Sequence, residues 1–328
     1  MRDNETAGDL IVLMPVYNDW QSARMLVWKL DTILTDQPFK PRLLLLDDCS
    51  STSAPADLVT DKLKNLVCVE SLRLRCNLGH QRAIAVGLSF IYAERPCDAV
   101  LIMDADGEDK PEDVPHLIEK FLEERGGKVI FAERVRRSED WLFRIGYIVY
   151  RGLHRMLTGI RVRVGNFSII PAAYLERLVV VSETWNHYAA TVIKSRIPHQ
   201  MLPIDRGQRL AGRSSMNYAA LMLHGLSSIS VFADIVGVRL TLTILATTVI
   251  LIMLLFTVLV IRWGTHLSIP GWATTATGLL LVMVLQMLTV ALGLTLLVLF
   301  NRSNLNFLPL RDFRFFIGGV QKAYERTG

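Results

Sequence analysis

The sequence predicts an α/β domain built on a mostly parallel sheet, followed by helices at a membrane interface and a two-helix transmembrane hairpin. Three observations carry that prediction. Up to about residue 235, short apolar runs alternate with stretches of helical period, as strands and helices do when they are layered on a sheet. Polar clusters, "PVYND", "DDCSS" and "DADGED", follow three of those runs, at the carboxyl ends where open sheets collect ligands. Two long uncharged apolar runs come last.

Taken in order, the strands are expected at Leu10 to Val16, Leu43 to Leu46, Leu66 to Val69, Ala99 to Met103 and Val129 to Ala132, with helices at Trp20 to Thr35, Gln81 to Ala93 and Val114 to Glu124. This α/β domain covers 1–216. Within it, "WLFRIGYIVYRGLHRML" at 141–157 mixes large apolar residues with arginines at helical spacing, which suits a helix lying at a lipid interface. A juxtamembrane amphipathic helix is expected over 217–236. The hairpin occupies 237–300, its spans near 238–261 and 273–300, because each run is long enough to cross about 30 Å of hydrocarbon at about 1.5 Å per residue. Gln286 is the one strongly polar side chain in the second span. A cytoplasmic tail, 301–328, completes the chain.

The flanks set the orientation. Only Arg262 and His266 lie between the spans, whereas Arg206, Arg209 and Arg213 approach the first and Arg302, Arg311, Arg314, Lys322 and Arg326 follow the second. Basic residues stay on the cytoplasmic side, so both termini and the α/β domain are expected there, on a cytoplasmic (inner) membrane. "MRDNETAGD" is not a basic leader and "LIVLMPV" is too short for a signal core. The net charge of +5 fits anionic headgroups and calls for no nucleic acid. The cysteines, Cys49, Cys68, Cys76 and Cys97, lack paired metal spacing and read as reduced thiols.

The stretch "VLIMDADGEDKPED", Val100 to Asp113, sets four apolar residues against Asp104, Asp106, Glu108, Asp109, Glu112 and Asp113. Carboxylates this close repel one another unless a cation or a solvated turn separates them. Asp104, Asp106 and Glu108 leave the strand end at alternate positions, and three hard oxygen donors suit Mg²⁺ or Mn²⁺, above all where substrate phosphates complete the shell. The later acids, Asp109 to Asp113, read as the negative first turn of a helix around Pro111.

In series, "PVYND", "LLLLDDCSS", "DADGED", "NLGHQRAIAVG", "GNFSII" at Gly165 to Ile170 and "RLAGRSS" at Arg209 to Ser215 resemble the family 2 glycosyltransferases of GT-A fold, a Rossmann-like mostly parallel sheet, over roughly Leu10 to Ser215. With two trailing spans, the chain looks like the polyprenyl-phosphate branch, the relatives of dolichol-phosphate mannose synthase and bactoprenol glucosyltransferase. The resemblance implies a membrane-bound inverting hexosyltransferase that moves a sugar from a UDP- or GDP-sugar donor to a polyprenyl phosphate. It implies that Pro15, Tyr17, Asp19 and Asp48, with Asp104, hold the nucleotide, and that Asp104, Asp106 and Glu108 hold the cation. Arg134 and Arg144 fall where the family places acceptor-phosphate arginines, joined by Arg209, Arg213 and Ser214; Asp104, Asp106, Arg134 and Arg144 form the implied catalytic set. Cys49 stands where glycine is usual, Asn166 where an acidic residue or serine is, and Ser215 where lysine is common.

A phosphate acceptor brings its own anionic oxygen and needs cations rather than a base, and planar guanidinium forks suit that duty. The alternative is a membrane glycosyltransferase acting on a hydroxyl of a glycolipid or cell-envelope polysaccharide, which requires a base; "SETWNHYA" offers Glu183 and His187. A non-catalytic scaffold ranks below both, having no use for metal-type carboxylates in register with phosphate-type arginines. The expected partners are therefore the nucleotide sugar, the lipid acceptor and the membrane, with room for a homo-oligomer.

Overall fold

The computed structural model describes residues 8–35, 37–55, 58–59, 62–134, 152–160, 165–205, 207, 209–210, 218–265, 271–303 and 307–326. The chain divides into two compact units, one of Met1–Tyr147, Val162–Val231 and Asn306–Gly328, the other of Ile148–Arg161 and Phe232–Leu305.

The first unit is a mixed sheet with helices on both faces. Strands β1 (Gly8–Val16), β2 (Phe39–Asp47), β3 (Cys68–Leu74), β4 (Ala99–Ile102), β5 (Val129–Arg134), β6 (Ser168–Pro171), β7 (His199–Ile204) and β8 (Ile317–Glu325) pair in the order β7-β5-β6-β4-β1-β2-β3-β8. β1 is parallel to β2 and β4, β2 to β3, and β5 to β7, while β6 and β8 run antiparallel to their neighbours. The central strands are apolar throughout because both faces are covered. In β1, Leu10, Val12, Met14 and Val16 join a core with Leu26 and Leu30 of α1 (Trp20–Ile33) and Leu117 and Phe121 of α3 (Val114–Glu123). Ile11 and Leu13 face the opposite core, against Ile84 and Leu88 of α2 (His80–Glu94). Each such side chain contributes about 1.5–3 kcal/mol by leaving water.

The five strands read from the sequence are all present, several of them longer than their apolar runs. β6, β7 and β8 go beyond that reading. The segment expected as a 301–328 tail is instead partly folded into this unit: α10 (Pro309–Phe316) buries Phe313 against α2, and β8 pairs with β3 from Cys68↔Glu325 to Leu74↔Ile317. Trp185 stacks with Phe307 and Phe316 at ring distances of 3.7 and 5.3 Å, and Arg314 reaches Glu94 at 2.6 Å. Aromatic contacts of this kind supply apolar area that a free tail would leave in water.

The helix expected over 217–236 is also divided. α7 spans Tyr218–Ser230, and the chain turns at Val231 and Phe232 before α8 (Ala233–Gly264) begins. At this turn the Lys194 ammonium donates to the Val231 carbonyl at 2.7 Å, tying the end of α7 to a residue 37 positions earlier.

The second unit contains α4 (residues 152–158), α8 and α9 (Trp272–Ser303). α8 and α9 pack on one another, and a Cβ at Gly237 would collide with Val298, so a larger residue there would force the helices apart. The outward surface is apolar: Leu242, Phe256, Leu279 and Leu292 are each more than 60% exposed. Mean hydropathy reaches 3.0 and 2.4 in the two helices, yet only 17% and 6% of those stretches are buried, which is unlike the core helices of a soluble protein. Along α8 and α9, threonine hydroxyls bond the helix's own backbone, as where Thr243 donates to Arg239 O, Thr248 to Ile244 O and Thr289 to Leu285 O. Such bonding suits surroundings that offer no water. Arg239 closes the end of α4 by donating to the Met156 and Leu157 carbonyls at 3.1 and 3.4 Å. Leu153 and Met156 of α4 are 44% and 68% exposed; the rest of the interfacial helix expected over 141–157 lies outside the described residues.

Candidate active site

Strands β4, β1 and β2 are adjacent and parallel, so the loops after Ile102, Val16 and Asp47 emerge side by side. β5 is antiparallel to β6, which is antiparallel to β4, so Arg134 at the end of β5 reaches the same sheet edge. β7 is parallel to β5 and delivers the segment that follows Ile204 there as well. The topology thus gathers residues from 17 to 210 at one rim.

The first two loops are stitched together. Asn18 adopts a left-handed φ of 56° and its Oδ1 accepts from Ser51 N and Oγ at 2.8 and 2.9 Å, while its own N–H donates to Ser50 Oγ. Pro15 is buried in β1 opposite Leu46, and Tyr17 stands 52% exposed. Asp48 is buried, its carboxylate accepting Leu78 N–H at 2.7 Å and Gly79 N–H at 2.9 Å. Burial raises its pKa against the pull of those two donors. Asp48 therefore holds the entrance of α2, a duty not expected from its sequence setting. Cys49 has φ 58°, the left-handed conformation that explains why glycine suits this position.

The acidic loop is built by its own members. Asp104 N–H donates to Asp109 Oδ2 at 3.0 Å, and Glu108 N–H to Asp106 Oδ1 at 2.9 Å. Gly107, at φ 84°, lies under Leu210 with no room for a Cβ. Asp109 is buried and folds back on Asp104 rather than serving the next helix, whose first turn begins at Pro111 with Glu112 and Asp113 as its acids. The Asp104 and Asp106 side chains are 31% and 21% exposed. Burial raises the pKa of Asp106, and Asp104 and Glu108 add to the rise, with Arg209 opposing it. Two carboxylates from one loop, partly exposed and close enough to raise the pKa of Asp106, are a hard-oxygen donor pair that fits a divalent cation. The expected third donor is a different matter: among the described residues no three His, Cys, Asp or Glu side chains gather closely enough to hold a metal. The turn at Gly107 redirects the chain before Glu108, whose carbonyl accepts Gly207 N–H.

Arg209 comes to the same place. Its Nη2 donates to Asp19 Oδ2 at 2.7 Å and its Nη1 stands 3.7 Å from Asp106 Oδ2, while Asp19 Oδ1 accepts from Ser22 Oγ. Arg144, Arg213 and Ser214 lie outside the described residues. Glu183 and His187, the bases of the alternative reading, are otherwise engaged. Burial works against the Glu183 carboxylate, but the Lys194 ammonium at 2.8 Å more than offsets it and the pKa falls. Beyond α5 (Leu175–Val179), His187 is buried at the start of α6 (Tyr188–Lys194), its Nδ1 accepting Ala190 N–H.

One polar chain carries residues given no role from the sequence. Tyr188 N–H donates to Gln81 Oε1, Gln81 Nε2 donates to Asn166 Oδ1, and Asn166 Nδ2 meets His80 Nε2 at 2.8 Å, itself 3.1 Å from Asp104 Oδ1. Desolvation disfavours the charged His80 ring, yet Asp104, with Asp109 and Asp106, outweighs it and raises the pKa. The signal was the polar "GHQ" opening an otherwise apolar helix in "NLGHQRAIAVG".

The family model for glycosyl transferase family 2 matches residues 11–179, just over half of the chain. Among solved structures, a mycobacterial protein aligns at 17% identity with TM-score 0.50, covering 70% of this chain and 75% of its own. Glucosyl-3-phosphoglycerate synthase from Mycobacterium tuberculosis, solved with Mn²⁺ and UDP-glucose, aligns at 17% identity and 0.48, covering 70% and 80%. Mannosyl-3-phosphoglycerate synthase from Rubrobacter xylanophilus aligns at 14% and 0.49, covering 71% and 75%. At 17% identity the likeness to the mycobacterial protein concerns the fold alone. The sheet order, the strand-end loops and the extent of the family match together make this chain a member of glycosyl transferase family 2, with a GT-A-like domain.

Proposed function

We propose that the chain is a membrane-bound, cation-dependent, inverting glycosyltransferase that moves a sugar from a nucleotide-sugar donor to a polyprenyl phosphate. The observation that carries the lipid acceptor is the exposed apolar surface of α8 and α9, joined in one chain to a family 2 domain. Such a surface needs hydrocarbon around it, and an enzyme so anchored meets lipid-borne substrates. Both termini would then be cytoplasmic, as the basic flanks argue.

In this reading Tyr17, Asp19 and the Asp48 loop, with Pro15 beneath, receive the nucleotide. Asp104 and Asp106 hold Mg²⁺ or Mn²⁺ together with the donor diphosphate. When bound, such an ion supplies Lewis-acid stabilisation of the leaving group. Arg134, Arg144, Arg209, Arg213 and Ser214 receive the acceptor phosphate, whose own oxygen attacks without a general base. The engagement of Glu183 with Lys194 and the buried, helix-capping position of His187 favour this over a hydroxyl acceptor.

The test is incubation of purified protein with Mg²⁺, a panel of nucleotide sugars and undecaprenyl phosphate, with mass spectrometry of the lipid. A glycosylated polyprenyl phosphate is the expected product; sugar transferred only to hydroxyl acceptors would sink the proposal. Glu183→Gln and His187→Ala should each lower kcat/KM less than about tenfold.

A further inference from the structure

The acidic loop already has a cation of its own. Backbone bonds from Leu210 N–H to the Asp106 carbonyl (3.0 Å) and from Gly207 N–H to the Glu108 carbonyl (2.9 Å) pin the chain on both sides of Arg209 to the loop that carries Asp106. From this fixed base the guanidinium spans two strand ends, bonding Asp19 after β1 and standing 3.7 Å from Asp106 after β4. Asp19, Asp106 and Arg209 side chains are each only about one-fifth exposed, at 19%, 21% and 23%. At that depth charge interactions are less screened than on an open surface. Asp19, Asp104 and Asp106 face Arg209 and the His80 ring, which stands 3.1 Å from Asp104, and a divalent ion on Asp106 would repel the arginine beside it.

We propose that Arg209 is an internal counter-ion of the donor site. It neutralises Asp19 and Asp106 in the ligand-free protein, competes with the divalent cation for Asp106, and turns to the donor diphosphate once the cation is in place. This rests on the reading of Asp106 as a cation ligand given above, and assigns Arg209 a positioning duty before any acceptor arrives. The consequence is a pair of effects with opposite signs: loss of the guanidinium strengthens cation binding and weakens turnover.

The experiment is calorimetric titration of Mn²⁺ alone into the purified full chain in detergent, without nucleotide. Arg209→Gln should bind Mn²⁺ about three- to tenfold more tightly than the wild type, while its kcat/KM for glycosyl transfer falls. Arg209→Lys keeps the charge and should stay within about twofold. Arg177→Gln makes the same charge change at an exposed site and should also leave the affinity within about twofold. If Arg209→Gln melts early, Arg209→Met, which retains the apolar stem, carries the same expectation. Equal or weaker Mn²⁺ binding by Arg209→Gln and Arg209→Met, or an equal gain in Arg177→Gln, overturns the proposal and leaves the cation reading standing. Failure of wild type and variants alike to bind Mn²⁺ overturns both.

Discussion

Around the strand ends, polar groups find partners far away along the chain. Asp48 accepts from residues 30 and 31 positions on, Gln81 meets Asn166 across 85, and Arg209 reaches Asp19 across 190. In α8 and α9 the threonine hydroxyls bond carbonyls four positions back. Both regions satisfy their polar groups, as buried or water-poor surroundings demand, yet the first depends on the whole sheet being assembled and the second on one helical turn. A single change should therefore spread through the rim and stay local in the hairpin.

The largest effect is expected at the rim. Asp104→Asn and Arg209→Ala should each cost about 2–4 kcal/mol of transition-state stabilisation, on the order of thirty- to a thousandfold in kcat/KM, and EDTA should abolish turnover until Mg²⁺ or Mn²⁺ is restored. Full activity in chelator would remove the cation from the account. Next comes Asp31, buried in α1, whose carboxylate accepts the N–H groups of Lys64, Asn65 and Leu66. Asp31→Ala strands all three donors and should lower stability by about 3 kcal/mol in chemical denaturation; a loss under about 1 kcal/mol would show that long-range bonding matters less than argued.

A pH profile gives a smaller effect. Because burial and its acidic neighbours raise the pKa of Asp106, its proton returns at a higher pH than an ordinary carboxylate's. Mn²⁺ affinity should decline as pH falls through that raised pKa, and Asp106→Asn should remove this limb. The sign for folding is opposite: the ionised form is penalised in the native state, so Asp106 detracts from stability at neutral pH and the penalty disappears on acidification. An acid limb of Mn²⁺ binding unchanged in Asp106→Asn would move the titration elsewhere. The smallest effect belongs to the hairpin. Thr248→Val removes only a bond to its own helix, and the stability change should stay below about 1 kcal/mol. A loss as large as that of Asp31→Ala would erase the contrast between the two regions.

Local pattern determined much of this protein. Alternation of apolar and helical runs located the central strands and the three helices that cover them, unbroken hydropathy located α8 and α9, and "DADGED" marked the rim. Periodicity is a property of neighbouring residues, so it survives in the sequence as written. Tertiary structure alone decided the rest. β8, "IGGVQKAYE", has two glycines and is largely exposed at the sheet edge, so it lacks the apolar alternation that announces a strand, and its identity comes from β3. The same holds for Asp48, committed to the entrance of α2. His80, Gln81 and Asn166 become a chain only when β4, α2 and the residues before β6 are packed together, and Arg209 becomes a partner of Asp19 and Asp106 only because β7 returns parallel to β5. Those contacts depend on distances in space, which no run of adjacent residues encodes.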